Sequence, residues 1–220
     1  MDFVHLHVQS AYSLLASTVR INELVKEAKV KGMHSIALTD RNVMYGVIPF
    51  YKACKKQGIK PIIGLLADVL HGEETFPILL LARNNKGYSN LLKISSSIQT
   101  KTKEGIPLKW LKGYSEGLIG VSPGAEGIIE HSLANEETEK AMEAIGMFQA
   151  IFGPENFYMS LQVNGLVNRE LVKNLAKQTN TLLVATNAVC YLKPEDAIAY
   201  GVLKAVNQGT KLNQNFTGEN

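Results

Sequence analysis

Cysteine is scarce in this chain, with Cys54 and Cys190 its only two. Two thiols that far apart give neither a disulfide framework nor a zinc-ligand spacing, and they fit a reducing, cytoplasmic setting. Long apolar runs are missing too. No stretch reaches the roughly 18 apolar residues of a membrane span. The opening Met1-Asp2-Phe3-Val4-His5 lacks the basic-then-apolar order of a signal peptide. Neither sign of charge dominates: 23 Lys+Arg against 20 Asp+Glu leave +3, too little to argue for a nucleic-acid-binding module. There is no G-x-x-x-x-G-K-[ST] loop, no G-x-G-x-x-G, no internal repeat and no low-complexity tract. Nothing argues for a Ser-His-Asp triad.

What is present is an alternation. Hydrophobic residues make up 45% of the 220, enough to bury a sizeable core without staples, as one large domain or two small ones. Strands are expected over residues 2–8, 35–39, 59–69, 78–82, 118–121, 157–163 and 182–185. Helices are expected between them. The first carries Ile21, Leu24, Val25 and Ala28 at helical spacing and stops at Gly32. The others cover 47–57, with Pro49 in the first turn and Gly58 at the end, then 87–100, 136–152 closed by Gly153-Pro154, 166–179, and 194–206 opened by Pro194. Residues 101–107 read as a polar loop, and Trp110 beside Leu108 and Leu111 as a core anchor. Residues 133–139 read as an acidic helix start, which suits the helix dipole. Residues 209–220 carry no core pattern. Apolar strands alternating with amphipathic helices imply a parallel sheet buried on both faces. Seven or so such units favour a closed α/β barrel, whose chemistry sits at the C-terminal ends of the strands.

The pair His5-Leu6-His7 is the first candidate for chemistry, because residues two apart on a strand share a face. A metal would need at least one more ligand. Around that pair, the run from His5 to Leu15 (HLHVQSAYSLL) resembles the opening of bacterial DNA polymerase III alpha subunits of the DnaE type found in low-GC Gram-positive bacteria. So do Ala37-Leu38-Thr39-Asp40, Met44-Tyr45-Gly46, Gly58-Ile59-Lys60-Pro61-Ile62-Ile63-Gly64, Ala82-Arg83-Asn84-Asn85-Lys86-Gly87-Tyr88, Val184-Ala185-Thr186-Asn187 and Tyr191-Leu192-Lys193-Pro194-Glu195-Asp196. The blocks keep the family's order over almost the whole chain. The resemblance implies a PHP domain over residues 1–208, a distorted seven-stranded β/α barrel. It also implies a connection to downstream polymerase domains over 209–220.

Active PHP domains hold up to three metal ions, which activate water and clamp a phosphate. Carried over by resemblance, the first motif, H-x-H-S-x-x-S-L-L-D, places its first histidine on His7, its second on Gln9 and its aspartate on Ala16. The remaining ligand positions fall on Arg41, Leu66, Pro77, about Gly124, Ala188 and Cys190. Only His7 keeps a family ligand, and Arg41 brings a fixed positive charge where a cation would sit. The expectation is therefore a vestigial metal site and no cofactor in this chain, with Mg2+ confined to polymerase domains elsewhere. Asp40 is expected to pair with Arg41, Lys60 or backbone donors at a strand end; the sharper alternative makes Asp40, Arg41 and Lys60 a salt-bridge or anion site that replaces the metals. Lys52, Lys55, Lys56 and Lys60 read as a solvated basic face, with phosphate contact within a polymerase as the alternative. Expected partners are the remaining polymerase domains and other replisome subunits, with weak or no direct DNA contact and no membrane. The function the resemblance implies is a structural and interaction domain that supports DNA polymerase activity during replication; two others remain open, a metal-dependent phosphoesterase or 3′-5′ proofreading exonuclease, and a phosphate- or nucleic-acid-binding module.

Overall fold

The computed structural model describes residues 3–72, 74–162, 165 and 167–210. The expected strand beginning at 2, the strand end at 163, the helix start at 166 and the segment 211–220 fall on residues outside these. In chain order the elements are α1 (Ile21–Val30), β1 (Ser35–Leu38), α2 (Val47–Gln57), β2 (Lys60–His71), β3 (Glu74–Ala82), α3 (Asn85–Ser97) with a π turn (Ile98–Thr102), β4 (Ile106–Pro107), α4 (Leu108–Gly113), β5 (Leu118–Val121), α5 (Ile128–Ala134), α6 (Thr138–Phe152), β6 (Phe157–Leu161), α7 (Arg169–Gln178), β7 (Leu182–Ala185), a 3-10 turn (Pro194–Asp196) and α8 (Ala197–Gln208).

The strands form one seven-stranded sheet in the order β1-β2-β3-β5-β6-β7, with β4 paired to β2. The pairs β1-β2, β2-β4, β5-β6 and β6-β7 are parallel. β3 runs antiparallel to both β2 and β5, so the all-parallel expectation is corrected to a mixed sheet. The reason is local. Only two residues separate His71 from Glu74, and Gly72 takes φ +63°, so the chain turns back as a hairpin; a parallel crossover needs a dozen residues or more.

Alternate residues of β2 serve two cores. Leu65, Ala67 and Val69 pack outward with Ile78 and Leu80 against Leu91 and Ile94 of α3. Leu66 points the other way, with Leu79, Leu81 and Val121, into the interior of the curled sheet. A third cluster seats α1 and α2 on β1 through Leu24, Val25, Phe50 and Ile36. Burial on both faces explains why these strands read as continuous apolar runs.

Residues 3–8, expected within a strand, form no regular strand, and neither does Gln9 beside them. They still lie between β1 and the segment after β7. His5 O and Val8 O accept from the N–H groups of Ala37 and Thr39, while Gln9 N–H donates to Val189 O and Val189 N–H to His7 O. Three steps along one chain against two along β1 make a bulge, which breaks the ladder but bends the segment across the gap. Only the bridge Val8–Val189 remains as β structure there. This segment joins the two ends of the sheet.

Two short helices, α4 and α5, went unexpected. Trp110 is 37% exposed on α4 with Lys101 Nζ 5.7 Å from its ring centroid, so Leu111, fully buried, is the core anchor instead. The acidic stretch 133–139 spans the end of α5 and the start of α6. Among the described residues no helix is long and apolar enough to cross a membrane.

Candidate functional site

The carried-over positions converge on one mouth, built from the C-terminal ends of the parallel strands and the middle of the β2–β3 hairpin, the usual location in β/α barrels. Arg41 follows β1 and bridges to Leu66. Asp68 pairs with Pro77 across the hairpin. Gly124 follows β5, while Ala188 and Cys190 follow β7 beside His7 and Gln9.

Arg41 dominates this mouth. Its Nε and Nη2 donate to the two carboxylate oxygens of Asp68 at 3.1 and 2.8 Å, and its Nη1 donates to Glu126 Oε2 at 3.0 Å. Burial alone would lower the guanidinium pKa, but Asp68 and then Glu126 more than offset this and raise it. Asn42, the next residue, locks the acid in place: its Nδ2 donates to Asp68 Oδ2, and its Oδ1 accepts from Asp68 N–H at 2.9 Å. The bidentate fork ties the loop after β1 to the middle of β2.

Asp40 takes no part in that network, and of the partners expected for it the backbone donor is the one it meets. It is buried, and its carboxylate accepts from Ser10 N–H and from the hydroxyls of Ser10 and Ser13. Burial raises its pKa, opposed by those donors. Lys60 is also outside it. It begins β2, paired with Ser35, eight residues before Asp68. At about 3.3 Å per residue, that puts it roughly 26 Å away. Asp68, Asn42 and Glu126 were missed in the sequence. The one visible signal was Asp68, a lone acid inside the apolar run Leu65-Leu66-Ala67-Asp68-Val69-Leu70, which implies a buried charge in need of a partner.

The donors at the mouth do not suit a divalent cluster. Leu66 and Pro77 are buried and present only carbon, Ala188 is exposed, and Ala16 lies in a turn beside Ser17. Gly124 has φ +84°, and a side chain there would collide with that of Gln162. Gln9 is buried, with its backbone O taken by the Ser17 hydroxyl. Burial pushes the Cys190 thiol up, away from the thiolate that binds metal, with the Tyr200 hydroxyl opposing. His7 is buried with no protein hydrogen bond on either ring nitrogen; desolvation, then Arg41, lowers its pKa to about 4. Among the described residues, no three His, Cys, Asp or Glu side chains gather as a metal ion would require.

A second polar cluster lies beside the first. Glu130 on α5 is buried between β5 and β6. Its Oε1 accepts from the Ser122 and Ser160 hydroxyls, and its Oε2 has no protein partner. Burial pushes its pKa up to about 7 against the Ser122 hydrogen bond. α5 was not foreseen, so nothing in the sequence singled this residue out.

Comparison with known proteins fixes the lineage. The family model described as "PHP domain" matches residues 5–164. The chain belongs to the PHP family. The DNA polymerase III alpha subunit of Bacillus subtilis is 48% identical over 218 residues, covering 96% of this chain and 20% of that protein. That of Aquifex aeolicus is 33% identical over 241 residues, covering 99% of this chain and 21% of that protein. This PHP domain thus spans about a fifth of the curated relatives it matches. Among solved structures, an amidohydrolase from Chromobacterium violaceum, described with bound sulfate and no metal, superposes with a TM-score of 0.63 at 13% identity, over 86% of this chain and 87% of that one. A protein described as a putative metal-dependent phosphoesterase from Bifidobacterium adolescentis gives a TM-score of 0.53 at 12% identity, over 86% of this chain and 87% of that one. Likenesses this remote speak for the PHP fold alone.

Proposed function

We propose that this PHP domain is a structural and interaction module of a DNA polymerase III alpha subunit, and that its own mouth performs no metal-dependent hydrolysis. DNA synthesis belongs to the remaining four-fifths of a polypeptide like its relatives. The observation that carries this reading is the Arg41 guanidinium, seated between Asp68 and Glu126 where the family places a histidine ligand. A fixed cation there opposes a divalent ion, and the two acids that could bind one are already engaged. The same geometry weakens the anion-site reading, because three of Arg41's donors are occupied and two carboxylates face a bound anion.

The phosphoesterase or exonuclease reading draws on the name of the Bifidobacterium neighbour and on His7, whose unpartnered ring could accept a ligand. Metal content decides between the two. After dialysis against Zn2+ and Mn2+, the untagged chain is expected to retain below roughly 0.1 ion per molecule, as an unfavourable site should, and to leave single-stranded DNA intact. One or more tightly held ions, with cleavage abolished by chelation, would reverse the assignment.

A further inference from the structure

The basic face of α2 overlooks a groove that the mouth does not use. It is an open cleft of about 520 Å3 between α2, the start of β2 and the end of β3. Tyr51 and Tyr88 supply aromatic surface, Lys60 and Arg83 supply charge, and Pro61 and Ile63 line its base. Ile48, Tyr51, Lys52 and Lys55 fall at one helical spacing on α2, and all four are exposed. Lys55 Nζ lies 5.5 Å from the Tyr51 ring centroid. Among the described residues no acid lines the groove, and α2 itself contains none. None of the ion pairs among the described residues engages Lys52, Lys55, Lys56, Lys60 or Arg83. Tyr51 is 47% exposed and Ile48 56%, surface that solvation of lysines alone does not explain.

We infer that this groove binds a single-stranded nucleic acid, with bases stacking on Tyr51 and Tyr88 and phosphates held by Lys55, Lys60 and Arg83. Alternating cations and aromatic rings, without acids, are what sequence-independent single-strand binding uses. An extended peptide is disfavoured by the backbone. Lys60 N–H donates to His34 O on the β1 side, so residues 61 and 63 present their backbone groups to the groove. Pro61 has no N–H there, which removes a donor that an added strand would need. The expectation of little DNA contact rested on net charge, which averages this patch away, and on reading the lysines of α2 as a solvated face. The groove opens at the N-terminal end of β2, the far end of the barrel from Arg41 and His7, so this inference stands whether or not the mouth holds a metal.

The test is fluorescence anisotropy of this chain with a labelled oligothymidylate about twenty nucleotides long. Binding should weaken with salt at a log-log slope of about −2, from three cations at roughly −0.7 each. Tyr51→Ala should weaken it about tenfold and Tyr51→Phe should restore it, since stacking needs only the ring. Lys60→Glu should weaken it further and flatten the salt slope, while Lys173→Glu on α7 should leave it unchanged. These exposed positions allow substitution without loss of fold, which circular dichroism verifies. Three results would overturn the inference: no binding at low salt, Tyr51→Ala binding like the parent, or polyglutamate competing as well as the oligonucleotide. The last would make the groove a site for acidic peptides.

Discussion

At neutral pH the buried carboxyl of Glu130 is about half protonated, since burial raises its pKa from 4.5 to about 7. In the unfolded chain it would lose its proton near 4.5, so between those pH values the folded state holds a proton that the unfolded state has released. Its contribution is therefore full below 4.5 and is lost as pH rises to 7. At 1.36 kcal/mol per unit the loss is about 3 kcal/mol. His7 acts in the opposite sense: its pKa falls from 6.5 to about 4, so its contribution is present above 6.5 and lost as pH drops toward 4. In the parent the two trends mask one another. Urea titrations of Glu130→Gln should expose a stability that climbs from pH 4 to 6.5, and the difference from the parent should change by about 3 kcal/mol between pH 4.5 and 7. A constant difference across that range would mean that Glu130 is ionised in the fold. Single residues were the least legible scale in the sequence. Arg41 stood out because a family ligand was missing, yet its acids lie 27 and 85 residues away. Sequence proximity suggested Asp40 instead, which the chain satisfies with the hydroxyls of Ser10 and Ser13.

Between elements, close approaches set the geometry. A Cβ on Gly87 would lie 2.0 Å from the carbonyl oxygen of Gly117. The first turn of α3 therefore sits directly on the turn before β5, and only two glycines permit it. Gly87→Ala should cost about 3 kcal/mol, the upper part of the range for overpacking, read as a lower urea midpoint at unchanged slope. A change below about 0.5 kcal/mol would mean that α3 can shift freely. Elements were far more legible than sites. β7 was read to the residue, and α2 likewise, because Gly58 in the left-handed region ends that helix where the sequence said it should. Strand direction was not legible. Read as stopping at 69 and resuming at 78, β2 and β3 were eight residues apart, already too few for a parallel crossover, a constraint that the uniform β-α alternation obscured. α4 and α5, at six and seven residues, are too short for helical periodicity to declare itself.

At the scale of the whole molecule, α8 is the element the domain uses least. Ile198, Val202 and Val206 recur every four residues along it and are 60, 38 and 60% exposed, while only Ala197 and Gly201 are buried. An apolar stripe of this kind marks a contact surface, and in relatives five times longer there is ample chain to cover it. The isolated chain should therefore self-associate in sedimentation experiments at high concentration. Ile198→Lys with Val206→Lys should make it monomeric with stability unchanged to within about 0.5 kcal/mol. Association that persists in the double variant would place the contact elsewhere.

The clasp of residues 5–9 between β1 and the segment after β7 joins parts of the chain that are synthesised far apart in time. On a ribosome the His7 segment emerges well before Val189, and Ser17 and Cys190, which also bond across the seam, are 173 residues apart. At about 5–20 residues per second, the early edge waits roughly 9 to 35 seconds for its partner. For that interval the nascent barrel is an open sheet with an unpaired strand, and the pace of synthesis sets how long it stays exposed to wrong pairing.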